Sequence, residues 1–315
     1  MAKPSVLLTK RIPSSAFARL EEACDVDLND RDTDLTAEEL RARLRGKRGV
    51  VTLLTDVIDR AALEAGTDLE VVANIAVGYN NIDVAAARER GVVVTNTPDV
   101  LTEASADLTW ALILGITRRI VEGDRLVRAG RWKGWALDFM LGSELGGKQL
   151  GIVGMGRIGR AVAKRAAVFG MRVVYTSRSP QDVPGAERMA FDRLLASSDV
   201  VSLHCPLTAD TRHLIDQAAL ARMKRSAYLI NTSRGPVVDE AALVWALTNR
   251  IISGAALDVF EEEPKVHPGL LTLENVVLVP HLGSATTETR TAMADLAVRN
   301  AIAVLNGEPP LTPVI

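Results

Sequence analysis

Aromatic side chains are scarce in this chain, at 4% of residues, and only two cysteines, Cys24 and Cys205, occur among its 315 positions. Two thiols so far apart make no disulfide framework and fit no zinc spacing, so no metal site is expected. They predict a reducing compartment and hence a cytoplasmic protein. Long apolar runs are also missing. The opening run Val6-Leu7-Leu8 is too short for a signal-peptide core, and no stretch approaches the roughly 18 apolar residues that span a bilayer. Blocks of like charge are absent as well, and the formal net charge is only −2. That argues against nucleic acid or a membrane surface as the main partner, and it leaves room for a local cationic pocket for a small anion. No low-complexity tract or fixed-period repeat occurs. What the chain does have is 48% hydrophobic residues, enough to bury a core without staples. At roughly 100–200 residues per domain, its length predicts two domains.

Short β-type runs alternate with amphipathic stretches from end to end. The expected strands are Ser5–Thr9, Gly49–Leu53, Glu70–Ile75, Gly91–Val94, Gln149–Val153, Arg172–Thr176, Asp199–Leu203, Ala227–Asn231, Gly254–Val259 and Asn275–Val279. Several are nearly continuous apolar runs, as strands buried on both faces must be. The segments Thr36–Leu44, Asp83–Arg90, Asp239–Thr248 and Thr286–Leu305 read as helices. Strand–helix alternation of this kind means parallel, doubly wound α/β sheets. Asp83, Asp99 and Asp239 stand where N-caps belong, and Gly91 and Gly170 where a left-handed C-cap belongs. The alternation occurs twice, once up to Val94 and again from Gln149. A long helical pattern, Asp99 to about Ile120, bridges the two sets. The last helix can pack on either.

The run Gln149–Gly159 is an apolar strand leading into G-x-G-x-x-G, with a helical pattern over Arg160–Phe169 after it. Gly154 allows the tight turn, Gly156 lets backbone approach a pyrophosphate, and Gly159 lets helix and strand pack closely. The helix start then offers unspent N–H groups to the anion. In that context the loop predicts dinucleotide binding. About 20 residues on, an NAD site expects an acid for the ribose 2′-hydroxyl. Here Ser177, Arg178 and Ser179 follow the strand Arg172–Thr176. Hydroxyls and a guanidinium suit a 2′-phosphate, so NADP(H) is favoured over NAD(H), unless Arg178 stacks on the adenine or points to solvent.

Three further candidates follow strands in the second half. Arg234 lies in Asn231-Thr232-Ser233-Arg234-Gly235, a carboxylate cluster in Glu261-Glu262-Glu263-Pro264, and His281 in Pro280-His281-Leu282-Gly283-Ser284. Ligands in open α/β sheets sit at the carboxyl ends of strands. Singly, each residue has a bland alternative: a structural histidine, a capping arginine, a solvated acidic loop. Together, beside a dinucleotide loop, they make a device. The arginine fixes a substrate carboxylate, the histidine gives a proton to a carbonyl oxygen, and the glutamate favours the imidazolium.

Through these motifs and His204-Cys205-Pro206-Leu207-Thr208, the chain resembles the D-isomer-specific 2-hydroxyacid dehydrogenase family over essentially its whole length. Leu53-Leu54-Thr55-Asp56, Val77–Asp83 and Thr97–Glu103 give it a narrower similarity to the glyoxylate/hydroxypyruvate reductases. The resemblance implies two Rossmann-like or flavodoxin-like domains with a cleft between them. Residues 1–97 plus 286–315 would form the substrate domain and 98–285 the dinucleotide-binding domain, and members are typically homodimers joined through the latter. It also implies roles. Arg234 binds the keto acid, Glu263 (chosen over Glu261 and Glu262 for its place before Pro264) pairs with His281, and His281 donates the proton. Backbone at Val77 and Gly78, with Leu54 nearby, would hold the substrate. Asp258 would meet the nicotinamide amide. Thr102, Met155, Arg157, Ile158, Pro206, Thr232, Ser233 and Gly283 complete the cofactor set, and the missing acid at Ser177 departs from the NAD pattern. The implied activity is reduction of glyoxylate or hydroxypyruvate. Other specificities of the family (3-phosphoglycerate, 2-ketogluconate, D-lactate, phosphite) remain open, as does a cofactor-sensing binding protein on the same fold. The absence of cations in Leu53–Thr55 and Val77–Asn81 favours small, neutral-tailed keto acids.

Overall fold

The structure, a computed structural model, describes residues 2–314. The chain divides into two compact units, one made of the chain up to Leu101 together with Ala285 onward, the other of Thr102–Ser284. The first unit begins with β1 (Ser5–Leu8), α1 (Ser14–Ala23), β2 (Asp25–Leu28), α2 (Ala37–Leu44), β3 (Gly49–Thr52), α3 (Arg60–Ala65), β4 (Val71–Asn74), α4 (Val84–Glu89) and β5 (Val93–Thr95). All pairings are parallel, in the order β2-β1-β3-β4-β5. β3 and β4 are buried at every position, which is why their sequences are apolar without alternation. Leu7, Val50, Val72 and Val94 share one core with Leu40 and Leu44 of α2, Leu63 of α3 and Ala86 of α4.

Local signals explain the helix ends. Thr36 and Glu39 form a reciprocal capping box on α2, and Asp83 accepts from the Ala86 N–H at the start of α4. Gly91 closes α4 with a φ of 70°, a conformation glycine adopts without a Cβ clash. Asp99 is not at an N-cap position. It takes a φ of 71° and stands three residues ahead of the next helix, which starts at Thr102.

The second unit contains α5 (Thr102–Thr117), α6 (Ile120–Arg128), β6 (Gln149–Val153), α7 (Arg157–Ala166), β7 (Arg172–Thr176), β8 (Ala186–Arg188), α8 (Phe191–Ser197), β9 (Val200–Leu203), α9 (Gln217–Arg222), β10 (Tyr228–Asn231), α10 (Glu240–Thr248), β11 (Gly254–Leu257), α11 (Pro268–Leu271) and β12 (Val276–Leu278). The long helix expected from Asp99 to about Ile120 is α5, Thr102–Thr117; Arg119 then takes a left-handed φ of 56°, and α6 follows it. The strand order is β12-β11-β10-β9-β6-β7-β8, all parallel. Successive connections run one way from β6 through β7 to β8 and the other way from β9 to β12. The direction therefore reverses between β6 and β9, where doubly wound sheets open a ligand crevice. α5 packs on β10, β11 and α7, with the Trp110 ring stacked on Phe169 at 4.3 Å.

The last helix, α12 (Thr287–Leu305), returns to the first unit and packs on α1, β3, β4 and β5. Two strands have no counterpart in the sequence reading: β2, Asp25–Leu28, and β8, Ala186–Arg188. Both are edge strands, and edges are short and charged. No helix among the described residues is long and apolar enough to cross a membrane.

Candidate active site

The glycine loop lies between β6 and α7. Gly154 has a φ of +98°, and a Cβ there would stand 2.6 Å from the Cys205 nitrogen. A Cβ on Gly159 would stand 2.3 Å from the Gly154 carbonyl oxygen. These two glycines permit contacts inside the protein. Gly156 is different: a Cβ there would meet nothing within 4 Å, and as N-cap of α7 it supplies no side-chain cap. The first turn of α7 follows directly on this open position, the place where doubly wound folds receive a pyrophosphate. Met155 is buried at 2% exposure and can offer a cofactor only its backbone.

At the end of β7 the Ser177 hydroxyl donates to the Ser179 carbonyl at 2.6 Å, and the Ser179 hydroxyl accepts from Gln181 at 3.1 Å. Arg178 is exposed, and its guanidinium has no hydrogen bond or ion pair among the described residues. A second guanidinium arrives from β8, where Arg188 donates to the Ser177 carbonyl at 3.1 Å. Nothing in the sequence pattern signalled Arg188, because its strand went unseen.

The turns after β10, β11 and β12 carry the remaining candidates. Buried Asn231 ends β10 and organises the Arg234 turn. Its side-chain carbonyl accepts from the Ser233 N–H and hydroxyl at 3.0 and 2.8 Å, and its side-chain amide donates to the Arg234 carbonyl at 3.0 Å. Gly235 then passes so close to the next turn that a Cβ would stand 1.8 Å from the Phe260 carbonyl oxygen. Arg234 is half-buried. Burial draws its pKa down from the usual value, and the Glu263 charge opposes this. It remains a cation, since arginine holds its proton throughout the physiological range.

His281 takes a left-handed φ of 53°, which turns its ring toward Glu263. Its Nδ1 stands 2.9 Å from Glu263 Oε2, while Glu263 Oε1 accepts from the Phe260 N–H at 2.9 Å. Burial pushes the Glu263 carboxyl up, but the His281 hydrogen bond and charge, the Phe260 N–H and the Arg234 charge hold it below the ordinary carboxylate value. The other ring nitrogen, Nε2, is bonded to no described residue. Asp258, 1% exposed, braces this turn: its two oxygens accept from the Leu282 and Gly283 N–H groups at 2.5 and 2.9 Å. Burial raises the Asp258 carboxyl against those same bonds.

The three consecutive glutamates part company here. Glu263 faces His281, Glu262 is exposed, and Glu261 turns to His213 Nε2 and the Glu240 N–H. Glu240 returns the bond by accepting from the Glu261 N–H at 2.7 Å, so α10 holds the turn that carries Glu263. The cofactor candidates gather around the same strand ends. Thr232 and Thr109 of α5 share a hydrogen bond at 3.0 Å, Ser105 of α5 donates to the Gly283 carbonyl at 3.2 Å, and Thr102 opens that helix. Pro206 lies exposed past β9. Beside it, burial drives the His204 pKa down to about 4 and the Cys205 thiol up to about 11, so neither is charged at neutral pH.

In the first unit, Leu54 follows β3 and the pair Val77, Gly78 follows β4. Buried Asp56 fixes the first of these loops, accepting from the hydroxyls of Thr9 and Thr52 at 2.6 and 2.8 Å and from the Leu53 N–H at 2.8 Å.

Residues 110–283 match the family described as D-isomer specific 2-hydroxyacid dehydrogenase, NAD binding domain. The chain belongs to this family. It is accordingly a nicotinamide-dependent oxidoreductase. A glyoxylate reductase of Thermofilum pendens is 48% identical over 98% of this chain and 94% of its own length. Among solved structures, a Thermus thermophilus protein superposes with a TM-score of 0.94 at 47% identity, covering 99% of this chain and 100% of that one. An NADPH-dependent glyoxylate/hydroxypyruvate reductase of Sinorhizobium meliloti, solved with NADP and malonate, gives a TM-score of 0.90 at 37% identity, covering 99% and 97%.

Proposed function

We propose that this dehydrogenase reduces glyoxylate and hydroxypyruvate to their 2-hydroxy acids, with NADPH as the preferred reductant. The observation that carries the reading is the Glu263–His281 pair, which commits Nδ1 at 2.9 Å and leaves Nε2 unspent, beside the Arg234 cation. Arg234 receives the carboxylate of the keto acid on its planar fork. Backbone at Val77 and Gly78, next to Leu54, is the second carboxylate contact. His281 donates its Nε2 proton to the carbonyl oxygen, and Glu263, held at Nδ1, keeps the ring aligned. The reduced nicotinamide, when bound, supplies the hydride to the carbonyl carbon. The balance is one keto acid, one NADPH and one proton in, one hydroxy acid and one NADP⁺ out.

Gly154, Gly156 and Gly159 with the start of α7 form the pyrophosphate site. Arg178 and Arg188 at the ends of β7 and β8 supply cations for a 2′-phosphate, which favours NADP(H), and Ser177 and Ser179 shape that corner. Thr102, Pro206, Thr232, Ser233, Asp258 and Gly283 line the rest of the cofactor path. The second unit is the dinucleotide-binding domain and the first the substrate domain.

The protein acts as a homodimer through the second unit. The segment 131–141 has no helix or strand, yet it exposes Trp135 at 80%, Leu137 at 82% and Leu141 at 66%. In a chain so poor in aromatics, such a patch marks an interface. Buried, unpaired Cys24 and Cys205 suit the cytoplasm.

The deciding experiment follows NADPH absorbance with glyoxylate, hydroxypyruvate, pyruvate and 3-phosphohydroxypyruvate (the keto acid corresponding to 3-phosphoglycerate) in parallel. Higher kcat/KM for the first two is expected. Preference for 3-phosphohydroxypyruvate, or tight NADPH binding without turnover of any keto acid, overturns the reading.

A further inference from the structure

Backbone N–H groups serve an anion only if nothing in the protein has claimed them and if they point toward it. In the loop after β4, no described group accepts from the N–H of Val77, Gly78 or Tyr79, although Val77 and Gly78 are half-buried. The carbonyls of the same peptides are all held. The Thr97 N–H donates to the Ala76 carbonyl at 2.9 Å, Asn96 Nδ2 to the Val77 carbonyl at 2.7 Å, and Asn74 Nδ2 to the Gly78 carbonyl at 3.0 Å. In a planar trans peptide the C=O and the following N–H point in opposite directions. Fixing three successive carbonyls inward therefore turns three successive N–H groups, those of Val77, Gly78 and Tyr79, away from the groups that hold them.

The two asparagines are themselves held. Asn96 is clamped at its backbone by Thr312, which donates from its hydroxyl to the Asn96 carbonyl at 2.6 Å and is fixed in turn by fully buried Asn300 of α12. Asn74 meets the amide of Asn81 at 3.4 Å, and Asn81 donates to the carbonyls of Leu53 and Asp56 at 3.1 and 3.0 Å. The Leu54 loop and the Val77 loop are thus one polar framework.

We propose that Asn74 and Asn96 are positioning residues: their side-chain amides orient the peptides after β4 so that the N–H groups of Val77, Gly78 and Tyr79 receive the substrate carboxylate, with Tyr79 as a third donor. This rests on the proposed assignment of Val77 and Gly78 as a carboxylate contact. It explains why two side-chain amides are spent on loop carbonyls, and it makes the carboxylate contact a property of side chains that never touch substrate.

The test uses Asn96→Asp, Asn96→Ala and Asn74→Ala in the full-length enzyme. Aspartate has the same shape but can only accept, so it repels the Val77 carbonyl. KM should rise about tenfold, the usual weight of one hydrogen bond, and by the same factor for glyoxylate and hydroxypyruvate, which share the carboxylate. The kcat should change less, and NADPH affinity, read by fluorescence titration, should not change. Should Asn96→Ala fail to fold, Asn74→Ser leaves Asn96 and its clamp untouched and carries the same expectation through the Gly78 carbonyl. Amide NMR of the wild-type enzyme with NADPH, titrated with oxamate, separates the two layers. Shifts at Val77, Gly78 and Tyr79 are expected. No shift at these amides means the carboxylate assignment itself is wrong. Shifts in the wild type with unchanged KM in the asparagine variants overturn the positioning role, as does a rise confined to one keto acid.

Discussion

Glu263 is ionised at neutral pH, since its neighbours hold it below the ordinary carboxylate value. A depressed carboxyl stabilises the fold above its unfolded value and loses that contribution as pH falls through the folded one, so this pair weakens only in acid. The kinetic consequence is a matter of proton delivery. Reduction needs the proton on His281, and Glu263→Gln removes a negative charge 2.9 Å from Nδ1. The reductive kcat/KM should fall about tenfold or more, while Glu261→Gln, whose carboxylate faces His213, should leave it near the wild-type value. The reverse pattern would transfer the role to Glu261. Arg178→Ala should raise the KM for NADPH about tenfold and barely change that for NADH, as loss of one charge-assisted contact to phosphate implies. Equal effects on both cofactors would remove the 2′-phosphate from this corner. The choice among three adjacent glutamates was only partly legible in the chain. Spacing puts all three past β11, and the neighbouring proline singles out Glu263, but only the path of the Phe260–Glu263 turn shows where each carboxylate points. Arg188, Asn74 and Asn96 left no mark in the pattern at all, because their work depends on strands and loops distant in sequence.

At the level of elements, the central strands could be read because burial on both faces forces apolar runs, and the edges β2 and β8 could not, because half-exposed strands carry charge. The turns at the strand ends are where stability and chemistry meet. Gly235→Ala would drive a Cβ into the Phe260 carbonyl, at 1.8 Å, and so displace the Arg234 turn and the Glu263 turn together. It should destabilise the protein by about 2–4 kcal/mol and abolish reduction, and a variant with wild-type melting and turnover would show that the two turns are not interlocked. His204 follows β9 with its Nδ1 lacking a partner among the described residues. Its pKa falls from 6.5 to about 4 by burial. Unfolded chains bind a proton there first, so stability is lost as pH drops from about 6.5 toward 4, by at most about 3 kcal/mol. Denaturant midpoints at pH 7 and pH 5 should differ less in His204→Gln than in the wild type, and an unchanged difference would assign the acid sensitivity elsewhere.

For the whole molecule, the patch at Trp135, Leu137 and Leu141 predicts a dimer in sedimentation velocity at micromolar concentration. Replacing Trp135 and Leu137 by glutamate should give monomers with intact NADPH binding. A monomeric wild type would leave the patch without its proposed occupant. The alternation of strands and helices shows that there are two sheets, but it does not say which one takes the last helix, because an amphipathic segment fits either. The structure gives α12 to the first unit, against β3 and β4, with Met293, Ala297, Val298 and Ala301 buried there. This has a consequence for biogenesis. Five strands leave the ribosome early, and the helix that covers one face of their sheet is made only after the whole second unit. For that interval the nascent chain carries an uncovered apolar face. A stop codon just after Ser284 would leave the second unit whole and the first permanently exposed, a substrate for chaperones and proteases.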